Sequence, residues 1–430
     1  MNSRVYIIAY EFYPLNTGGS HRPFRIAKYL SENKYDVEVL TTNYIKSEID
    51  ISLLSNLETA KFKITRISDY TKLSNRRSYY FSTVDEVYDN WKNKIWRYID
   101  ENITNSNLNY VIVTLPPFSL SKLVIDLKKR YPKINIISDF RDAWSQWNVS
   151  PYASYFHYKL TLRKENQVIT KSSRVITTSK VIMNDFIEKH SMESKFQLIY
   201  NSFDRYINRP DNIVYRPKDL LKIGFVGSFY FNPKSHFQMF EKWYRKKPFQ
   251  YLQYVPHKEN WLYRTPYFLF KVLSQLIKEQ PSLKKRIQIN LAGNHPIWLN
   301  EMINEFGLTS IVRLHGFVPK NKIIYFQNEQ DFLLLTSSYR SNKKDYSIPG
   351  KTFEYLSIMK PILAIVTESA LRDLLAELNC AILLDPKDLF GAKESIKNIL
   401  ENGVELKPNY VNIDKYLSIN ALKPLLNIIK

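Results

Sequence analysis

The sequence predicts an α/β protein with two tandem domains, each built on a parallel β-sheet. Short runs rich in β-branched residues alternate with helical patterns, and this alternation occurs twice along the chain. The runs lack strict polar alternation, which is typical of strands buried on both faces of a parallel sheet. A polar, proline-bearing stretch at 205–218 separates the two series and indicates a domain boundary. The length of 430 residues is sufficient for two full hydrophobic cores.

The first series predicts a doubly wound domain over residues 1–205. Its apolar runs and helical patterns follow one another as strand, helix and strand, an order that requires crossover connections. The predicted strands are 4–9, 36–41, 61–67, 110–115, 134–139, 174–179 and 196–200. The predicted helices are 23–31, 120–130, 158–169 and 180–189.

The second series predicts another domain of the same kind over residues 206–401. An insertion rich in aromatic and basic residues interrupts it at about 235–265, and a C-terminal segment, 402–430, is expected to be helical and to pack back toward the first domain. The predicted strands are 222–226, 287–292, 311–315, 331–336, 361–366 and 381–385. The predicted helices are 267–279, 297–306, 351–359, 369–378 and 386–401.

Composition excludes several classes of protein. A hydrophobic content of 44% with 14% aromatic residues is too high for intrinsic disorder. The single cysteine, Cys380, excludes an internal disulfide and a cysteine zinc site, and fits a reducing compartment. No apolar run reaches the roughly 18 residues of a membrane span, and the run at 1–9 is too short for a signal peptide. We therefore expect a cytoplasmic protein.

The net charge of the chain favours anionic partners. Lysine and arginine number 62 against 41 acidic residues, which gives +21. Nucleic acid, nucleotides and an acidic membrane face are all attracted by such a charge, and its sign alone does not choose among them.

The positions of the glycines indicate a ligand site. The chain has only ten glycines, and none lies between Ser20 and Lys222. Gly18 and Gly19 follow the first predicted strand. Four others end strands of the second domain or open a helix beyond one, namely Gly227, Gly293, Gly316 and Gly350. Open α/β sheets bind ligands at the carboxyl ends of their strands, so the cleft between the domains is the expected site.

Six motifs occur in order along the chain. They are AYEFYPLNTGG (9–19), TLPPF (114–118), DFRDAW (139–144), YNSFD (200–204), FVGS (225–228) and IPGKTFEYL (348–356). Together they resemble glycosyltransferase family four, whose members are nucleotide-sugar enzymes of the GT-B fold, with two Rossmann-like domains facing each other across a cleft. The resemblance covers about residues 4–400.

The resemblance implies a retaining, metal-independent sugar transfer. The donor would be a nucleotide diphosphate sugar held mainly by the second domain, and the acceptor would be a glycan or lipid-linked precursor of a surface polysaccharide on the first. The residues agree on the metal, since the chain has no Asp-x-Asp pair and no paired histidine motif. We expect no cofactor and no metal. The expected partners are the donor, the acceptor and an anionic membrane at whose inner face the protein lies, without nucleic acid.

The donor site is predicted around one helix and one glycine-ended strand. In similar enzymes the glutamate at the position of Glu354 binds the ribose hydroxyls, and Lys351 lies three residues earlier on the same side of the helix. The family often places a basic residue directly after the strand glycine and a lysine six residues further on. This chain has Ser228 at the first position and Lys234 at the second. Together with Gly18, Gly19, Gly227, Gly316 and Gly350, these form the predicted donor site.

The catalytic carboxylate is less clearly marked. The family usually has a glutamate eight positions before Glu354, where this chain has Tyr346, and the adjacent Asp345 is the predicted substitute. In the first domain, Arg141 and Asp142 follow a strand and are predicted to orient a sugar hydroxyl and neutralise developing charge. Asp142 is preferred to Asp139 because it lies beyond the strand end. The alternative for this motif is an internal salt bridge, and His21 is open to a phosphate contact or a capping role.

Two questions stay open from the sequence. The insertion at 237–264 suits a membrane interface, single-stranded nucleic acid, or a small core of its own. The scaffold itself is also compatible with a non-catalytic basic protein that binds membrane or nucleic acid, or with another nucleotide-sugar enzyme such as a 2-epimerase.

Overall fold

The computed structural model describes residues 4–43, 49–68, 85, 87–102, 110–146, 151–229 and 231–429. It contains two large parallel sheets, as the sequence predicts. The first has seven strands in the order β3-β2-β1-β4-β5-β6-β7. These are β1 (Arg4–Ile8), β2 (Asp36–Thr42), β3 (Lys63–Ile67), β4 (Tyr110–Leu115), β5 (Asn135–Phe140), β6 (Arg174–Thr177) and β7 (Phe196–Leu198).

Helices cover both faces of this first sheet. They are α1 (His21–Glu32), α2 (Leu54–Glu58), α3 (Val87–Asn102), α4 (Ser121–Arg130), α5 (Tyr155–Lys171) and α6 (Lys180–His190). The sequence analysis missed α2 and α3. The buried residues of α3 are Tyr88, Trp91, Ile95 and Ile99, which have helical spacing but are separated by charged and amide side chains.

The second sheet has six parallel strands in the order β12-β11-β9-β13-β15-β16. Two short antiparallel pairs, β8–β17 and β10–β14, accompany it. The strands of this half are β8 (Ile213–Tyr215), β9 (Leu221–Val226), β10 (Glu259–Asn260), β11 (Ile287–Ala292), β12 (Val312–Gly316), β13 (Phe332–Thr336), β14 (Tyr339–Arg340), β15 (Ile362–Ile365), β16 (Ala381–Leu384) and β17 (Val404–Leu406). The strand order switches at β9, which is where open α/β sheets form a ligand crevice.

Ten helices accompany this half of the described chain. They are α7 (Pro233–Phe240), α8 (Tyr267–Glu279), α9 (Ile297–Glu305), α10 (Lys320–Asn328), α11 (Gly350–Ile358), α12 (Ala370–Leu378), α13 (Leu389–Asn402), α14 (Tyr410–Ile413), α15 (Ser418–Ala421) and α16 (Lys423–Ile428). No helix of the described residues is both long and apolar enough to cross a bilayer.

The C-terminal helices return to the first domain. Leu422, Leu425 and Ile429 are buried in the same apolar cluster as Ile7 of β1. The hydroxyl of Tyr35 donates a hydrogen bond to the carbonyl oxygen of Ile429. The end of the described chain is therefore part of the first domain's core.

The two domains also contact each other across the cleft. The backbone N–H of Lys320 donates to Oδ2 of Asp50 at 3.0 Å. Elsewhere along the cleft, Arg340 of the second domain pairs with Asp185 of the first at 3.4 Å. These contacts bring the loops after the strands of one sheet opposite those of the other.

Three glycines lie at the carboxyl ends of neighbouring strands of the second sheet. The N–H of Gly227 donates to Ala292 O at 2.8 Å, and the N–H of Gly293 donates to Gly316 O at 2.7 Å. Gly293 has φ +133°, and a Cβ atom there would overlap the carbonyl oxygen of Gly227. A side chain at Gly293 is therefore excluded both by the backbone conformation and by the neighbouring strand.

We expect Gly293→Ala to lower the free energy of unfolding by about 3 kcal/mol, because alanine is strained at this φ and its Cβ meets backbone atoms. Urea unfolding followed by circular dichroism measures the change. The control is Gly350→Ala, where no heavy atom lies within 4 Å of the added Cβ, and its effect should stay within about 1 kcal/mol. Equal losses for the two variants would contradict the steric argument.

Candidate functional site

Lys351 lies at the carboxyl edge of the second sheet. It is the second residue of α11, and its ammonium lies 3.6 Å from the ring centroid of Phe225 on β9. A Cβ added to Gly227 would be 2.8 Å from Lys351 Nζ, so the missing side chain gives the lysine its room. Among the described residues, no carboxylate pairs with it. Burial lowers the pKa of Lys351 to about 7, with a smaller opposing effect of Glu354.

Glu354 lies one turn further along the same helix. Its Oε1 pairs with Nζ of Lys320, and its side chain keeps an exposed fraction of 26%. Burial disfavours its charge, but Lys320 and, to a smaller extent, Arg25 hold the pKa of the carboxyl below its ordinary value. Glu354 is therefore ionised at neutral pH and still accessible from the cleft.

His21 approaches Glu354 from the first domain. Its Nδ1 lies 2.8 Å from the hydroxyl of Tyr13, and the two rings meet edge to face. Burial lowers the pKa of His21 to about 3, and the charge of Lys320 adds to the effect. The imidazole is neutral at physiological pH, so it offers a neutral hydrogen-bonding group rather than a cation for a phosphate.

The glycine pair of the first domain allows a close side-chain approach. A Cβ at Gly19 would overlap the carboxylate of Glu11 and the guanidinium of Arg141, whereas Gly18 faces open space. Thr17 donates its hydroxyl to Oε2 of Glu11 at 2.7 Å. Gly19 thus makes room for Glu11 and Arg141, and Glu11 is a cleft residue that sequence reasoning did not select although it lies in the first motif.

The two aspartates that flank Arg141 differ in environment. Asp139 is fully buried and forms an ion pair with Arg22, with Nε to Oδ1 at 2.9 Å. Asp142 lies beyond the strand end and is partly exposed. Burial raises the pKa of Asp142, while Arg141 and Arg264 of the second domain oppose the rise. Asp139 therefore forms the internal salt bridge that was the alternative for this motif. Asp142 instead faces the second domain.

Asp345 does not reach the cleft surface. It has an exposed fraction of 0%, and it accepts hydrogen bonds from the guanidinium of Arg264 and from the backbone N–H groups of Ser338 and Ser347. These partners surround both carboxylate oxygens. The sequence placed Asp345 as a sugar-facing carboxylate, whereas the structure places it beneath Arg264, because the loop turns its side chain inward to bind its own backbone.

Tyr346 is also turned away from the cleft. It is buried in an apolar cluster of the first domain, and the Arg340 guanidinium lies 4.8 Å from its ring centroid. The hydroxyl of Ser179 donates to the carbonyl oxygen of Tyr346 at 2.6 Å. Tyr346 therefore serves as a contact between the two domains.

Arg264 is the basic residue that sequence reasoning missed. Its guanidinium pairs with Asp345 at 3.1 Å and with Glu259 at 3.5 Å, and it lies 4.3 Å from the ring centroid of Trp261. Its charge also acts on Asp142 across the cleft. Arg264 lies at the end of the insertion, just before α8, and its carbonyl oxygen accepts a hydrogen bond from Thr336 at the end of β13.

Lys234 and Ser228 both lie beyond the end of β9. Lys234, six residues after Ser228, is exposed on α7, and its backbone N–H donates to the Asn232 side chain. Its predicted contact with a phosphate stays a prediction. Ser228 is partly exposed beside Gly227.

The remaining predicted residues lie at helix and strand ends. Gly350 is the exposed first residue of α11, after Pro349, and Gly316 ends β12 with φ +67°. The N–H of Gly316 donates to Nε2 of His295 at 3.1 Å. No group of three or more His, Cys, Asp or Glu side chains within the described ranges is arranged to hold a metal ion. Of the basic side chains described above, Lys320 and Arg264 pair with carboxylates, whereas Lys351 pairs with none among the described residues. The N–H groups that open α11 are further groups that can bind an anion.

By sequence, no protein-family model matches the chain, and neither does any curated protein. Solved structures match it along its whole length. The lipopolysaccharide outer core galactosyltransferase WaaB matches with a TM-score of 0.57 and 14% identity, over 99% of each chain. HepE from Anabaena, solved with UDP and glucose, matches with a TM-score of 0.56 and 12% identity, over 100% of this chain and 96% of its own.

Sucrose-phosphate synthase from Thermosynechococcus elongatus matches with a TM-score of 0.60 and 11% identity, over 100% of this chain and 95% of that one. At such identities the likeness establishes the fold. The seven- and six-stranded parallel sheets and the cleft between them agree with it. The chain has the two-domain GT-B fold of these glycosyltransferases.

Proposed function

We propose that this protein is a glycosyltransferase that takes a sugar from a nucleotide diphosphate sugar and transfers it to a glycan or lipid-linked acceptor. The observation that supports this most directly is the position of the Lys351 ammonium. It lies beside Gly227, just after the end of β9, and pairs with no carboxylate of the described chain. A buried cation without a counter-ion favours an anionic ligand, and a diphosphate supplies one. HepE, of the same fold, was solved with UDP and with UDP-glucose.

The other cleft residues have distinct roles in this proposal. Glu354 accepts hydrogen bonds from the ribose hydroxyls, since its carboxylate is ionised and accessible. The N–H groups at the start of α11 stabilise the diphosphate together with Lys351. Arg141 and Asp142 orient the acceptor on the first domain. The positive charge of Arg264 favours the ionised form of Asp142 and stabilises the negative charge of the leaving diphosphate.

Retention without a metal is part of the same proposal. The bond from the anomeric carbon to the diphosphate breaks as the acceptor oxygen bonds to that carbon on the same face. The acceptor proton passes to the leaving phosphate, so no separate base is required. Cations and helix N–H groups then stabilise the charge that a divalent ion would otherwise neutralise.

The proposal also includes a place in the cell. A lipid-linked acceptor would bring the enzyme to the inner face of the cell membrane from the cytoplasm, and a net charge of +21 favours an anionic surface.

A thermal-shift screen against uridine, guanosine and adenosine diphosphate sugars tests the function. At least one should raise the melting temperature, since a ligand at 100 times its Kd stabilises a protein by about 2.7 kcal/mol. Stabilisation by none of them would contradict the proposal. A donor that binds and is released unchanged with every glycan or lipid acceptor would favour a non-catalytic protein.

Glu354→Gln should weaken binding of that donor roughly 10- to 100-fold, because a carboxylate that accepts two hydroxyls loses its charge-assisted hydrogen bonds. Calorimetry measures the change. The matched control is Glu377→Gln on α12, which also removes a paired carboxylate, in this case from Lys415 at 3.6 Å. If the two variants bind the donor equally well, Glu354 does not contact the ribose.

Binding of UDP should take up a proton above pH 7. In the free protein the pKa of Lys351 is about 7, so its amine is mostly neutral at pH 8.5. A diphosphate beside it favours the charged form and raises the pKa, so the affinity should fall with rising pH, by at most about tenfold per pH unit. Calorimetry in two buffers of different ionisation enthalpy counts the proton.

Lys351→Met should abolish this proton uptake, whereas Lys278→Met, at an exposed position on α8, should leave it unchanged. Proton uptake that persists in Lys351→Met would assign the titration to another group. The measurement lies above pH 7 so that the phosphate of UDP, with a second pKa near 6, does not contribute.

Transfer should continue in excess EDTA, because lysine, arginine and helix N–H groups meet the diphosphate charge. The rate is compared before and after chelation with a labelled donor. A rate that collapses in EDTA and returns with magnesium or manganese would show that a metal ion takes part.

A further inference from the structure

The first part of the insertion turns its large apolar side chains to solvent. We call this surface the insertion face. It comprises Phe237, Phe240, Trp243, Tyr244, Tyr251 and Leu252, with exposed fractions of 67%, 38%, 75%, 55%, 56% and 74%. Soluble proteins rarely gather so many exposed apolar groups in one segment, and such patches mark interaction sites.

The small-core interpretation of the insertion holds only for its second part. Trp261 is buried, with an exposed fraction of 5%, and Tyr254 and Tyr263 are partly buried. Between 237 and 252, in contrast, Met239 is buried while the rings of the insertion face are exposed. Two short 3-10 turns, Trp243–Arg245 and Pro248–Gln250, hold this part of the backbone. The backbone of this part therefore leaves the rings of the insertion face exposed to solvent and does not bury them in a core.

Basic side chains surround these rings. Residues 231–252 contain five basic residues, Lys234, Lys242, Arg245, Lys246 and Lys247, and one acidic residue, Glu241, which gives a net charge of +4. Lys242 and Arg245 lie 5.8 and 5.9 Å from the ring centroid of Tyr244. No ion pair joins any of the five to a carboxylate within the described part of the chain. Their charge is therefore available to an external anion.

The exposed apolar surface continues onto the first domain. Tyr155 and Phe156, at the start of α5, have exposed fractions of 51% and 67%. Tyr155 meets Tyr254 of the insertion edge to face, at 4.9 Å between ring centroids. The backbones of Tyr152 and Tyr254 exchange two hydrogen bonds, at 2.9 and 3.0 Å. The chain is thus attached to the first domain two residues after the insertion face ends.

We propose that the insertion face docks on an anionic lipid bilayer. Aromatic side chains settle at the level of lipid headgroups, while lysine and arginine are attracted to anionic lipids. Transfer of the Leu252, Phe237 and Phe240 side chains from water to the acyl chains of lipids is favourable. These side chains have no group that could hydrogen-bond to a nucleic-acid base. A protein partner fits less well, because lysine is depleted from protein interfaces. The inference deepens the proposed function, since it places the cleft where a lipid-linked acceptor lies.

Co-sedimentation of the full chain with vesicles tests the proposal. The vesicles are phosphatidylcholine alone or an equal mixture with phosphatidylglycerol. We expect binding to the mixed vesicles at 0.1 M salt and at least tenfold weaker binding at 1 M salt, because the Debye length shortens from roughly 10 to 3 Å. Failure to bind the mixed vesicles at low salt would overturn the proposal.

Two variants separate the charge from the rings. The charge variant replaces Lys242, Arg245, Lys246 and Lys247 by serine, and the apolar variant replaces Phe237, Trp243 and Leu252 by serine. Each should lower the apparent affinity for mixed vesicles at least tenfold. The controls are Lys278, Lys284, Lys285 and Lys407 to serine, and Ile297, Tyr325 and Phe390 to serine, all exposed and outside the insertion. Variants that bind like their controls would remove the insertion face as the contact.

Two further measurements distinguish other outcomes. Thermal stabilisation by UDP should be the same in the parent and in both variants, so that loss of vesicle binding is separable from failure of the donor site. Random single-stranded RNA should bind the parent weakly, and the variants should bind it no less well than their controls. Tight RNA binding that the two variants lose, without vesicle binding, would assign the surface to nucleic acid instead.

Discussion

The second domain's side of the cleft is arranged around the Lys351 amine, which pairs with no carboxylate of the described residues. The Lys351 ammonium lies over the ring of Phe225, and the missing side chain of Gly227 gives it space. One turn later, Glu354 is paired with Lys320 and remains ionised. A single helix therefore presents an uncompensated cation and a compensated anion to the same cleft. That order suits a ligand with a negative phosphate part and a neutral, hydroxyl-bearing sugar part.

The two domains meet through residues outside the two large sheets. The backbone N–H at the start of α10, from Lys320, binds Asp50, and Arg340 of β14 pairs with Asp185 of α6. The contacts therefore join the domains without involving a strand of either large sheet. In the first domain, Glu11, Arg141 and Asp142 lie close together, and Arg264 of the second domain acts on Asp142.

The local sequence pattern was sufficient to predict the two large sheets, but it was not sufficient to predict every residue of the site. Most strands of the two large sheets are short apolar runs, which are typical of strands covered on both faces, so their positions and the strand–helix order were predictable. Helix α3 was missed because polar residues separate its buried ones. Arg264 was not selected, because the sequence does not show that the end of the insertion lies beside Asp345 and acts on Asp142. Asp345 was placed on the cleft because its burial depends on Arg264 and on two backbone N–H groups, which sequence does not bring together.

The return of the chain to the first domain has a mechanical consequence. The backbone passes between the domains twice, near Phe203 and near Leu417, and the two passages lie side by side. The N–H of Phe203 donates to Tyr416 O at 3.0 Å, and the N–H of Ser418 donates to Phe203 O at 2.8 Å. Two adjacent connections restrict the relative movement of the domains more than a single connection does. We therefore expect any opening of the cleft to occur by rotation about the line along which the two passages lie.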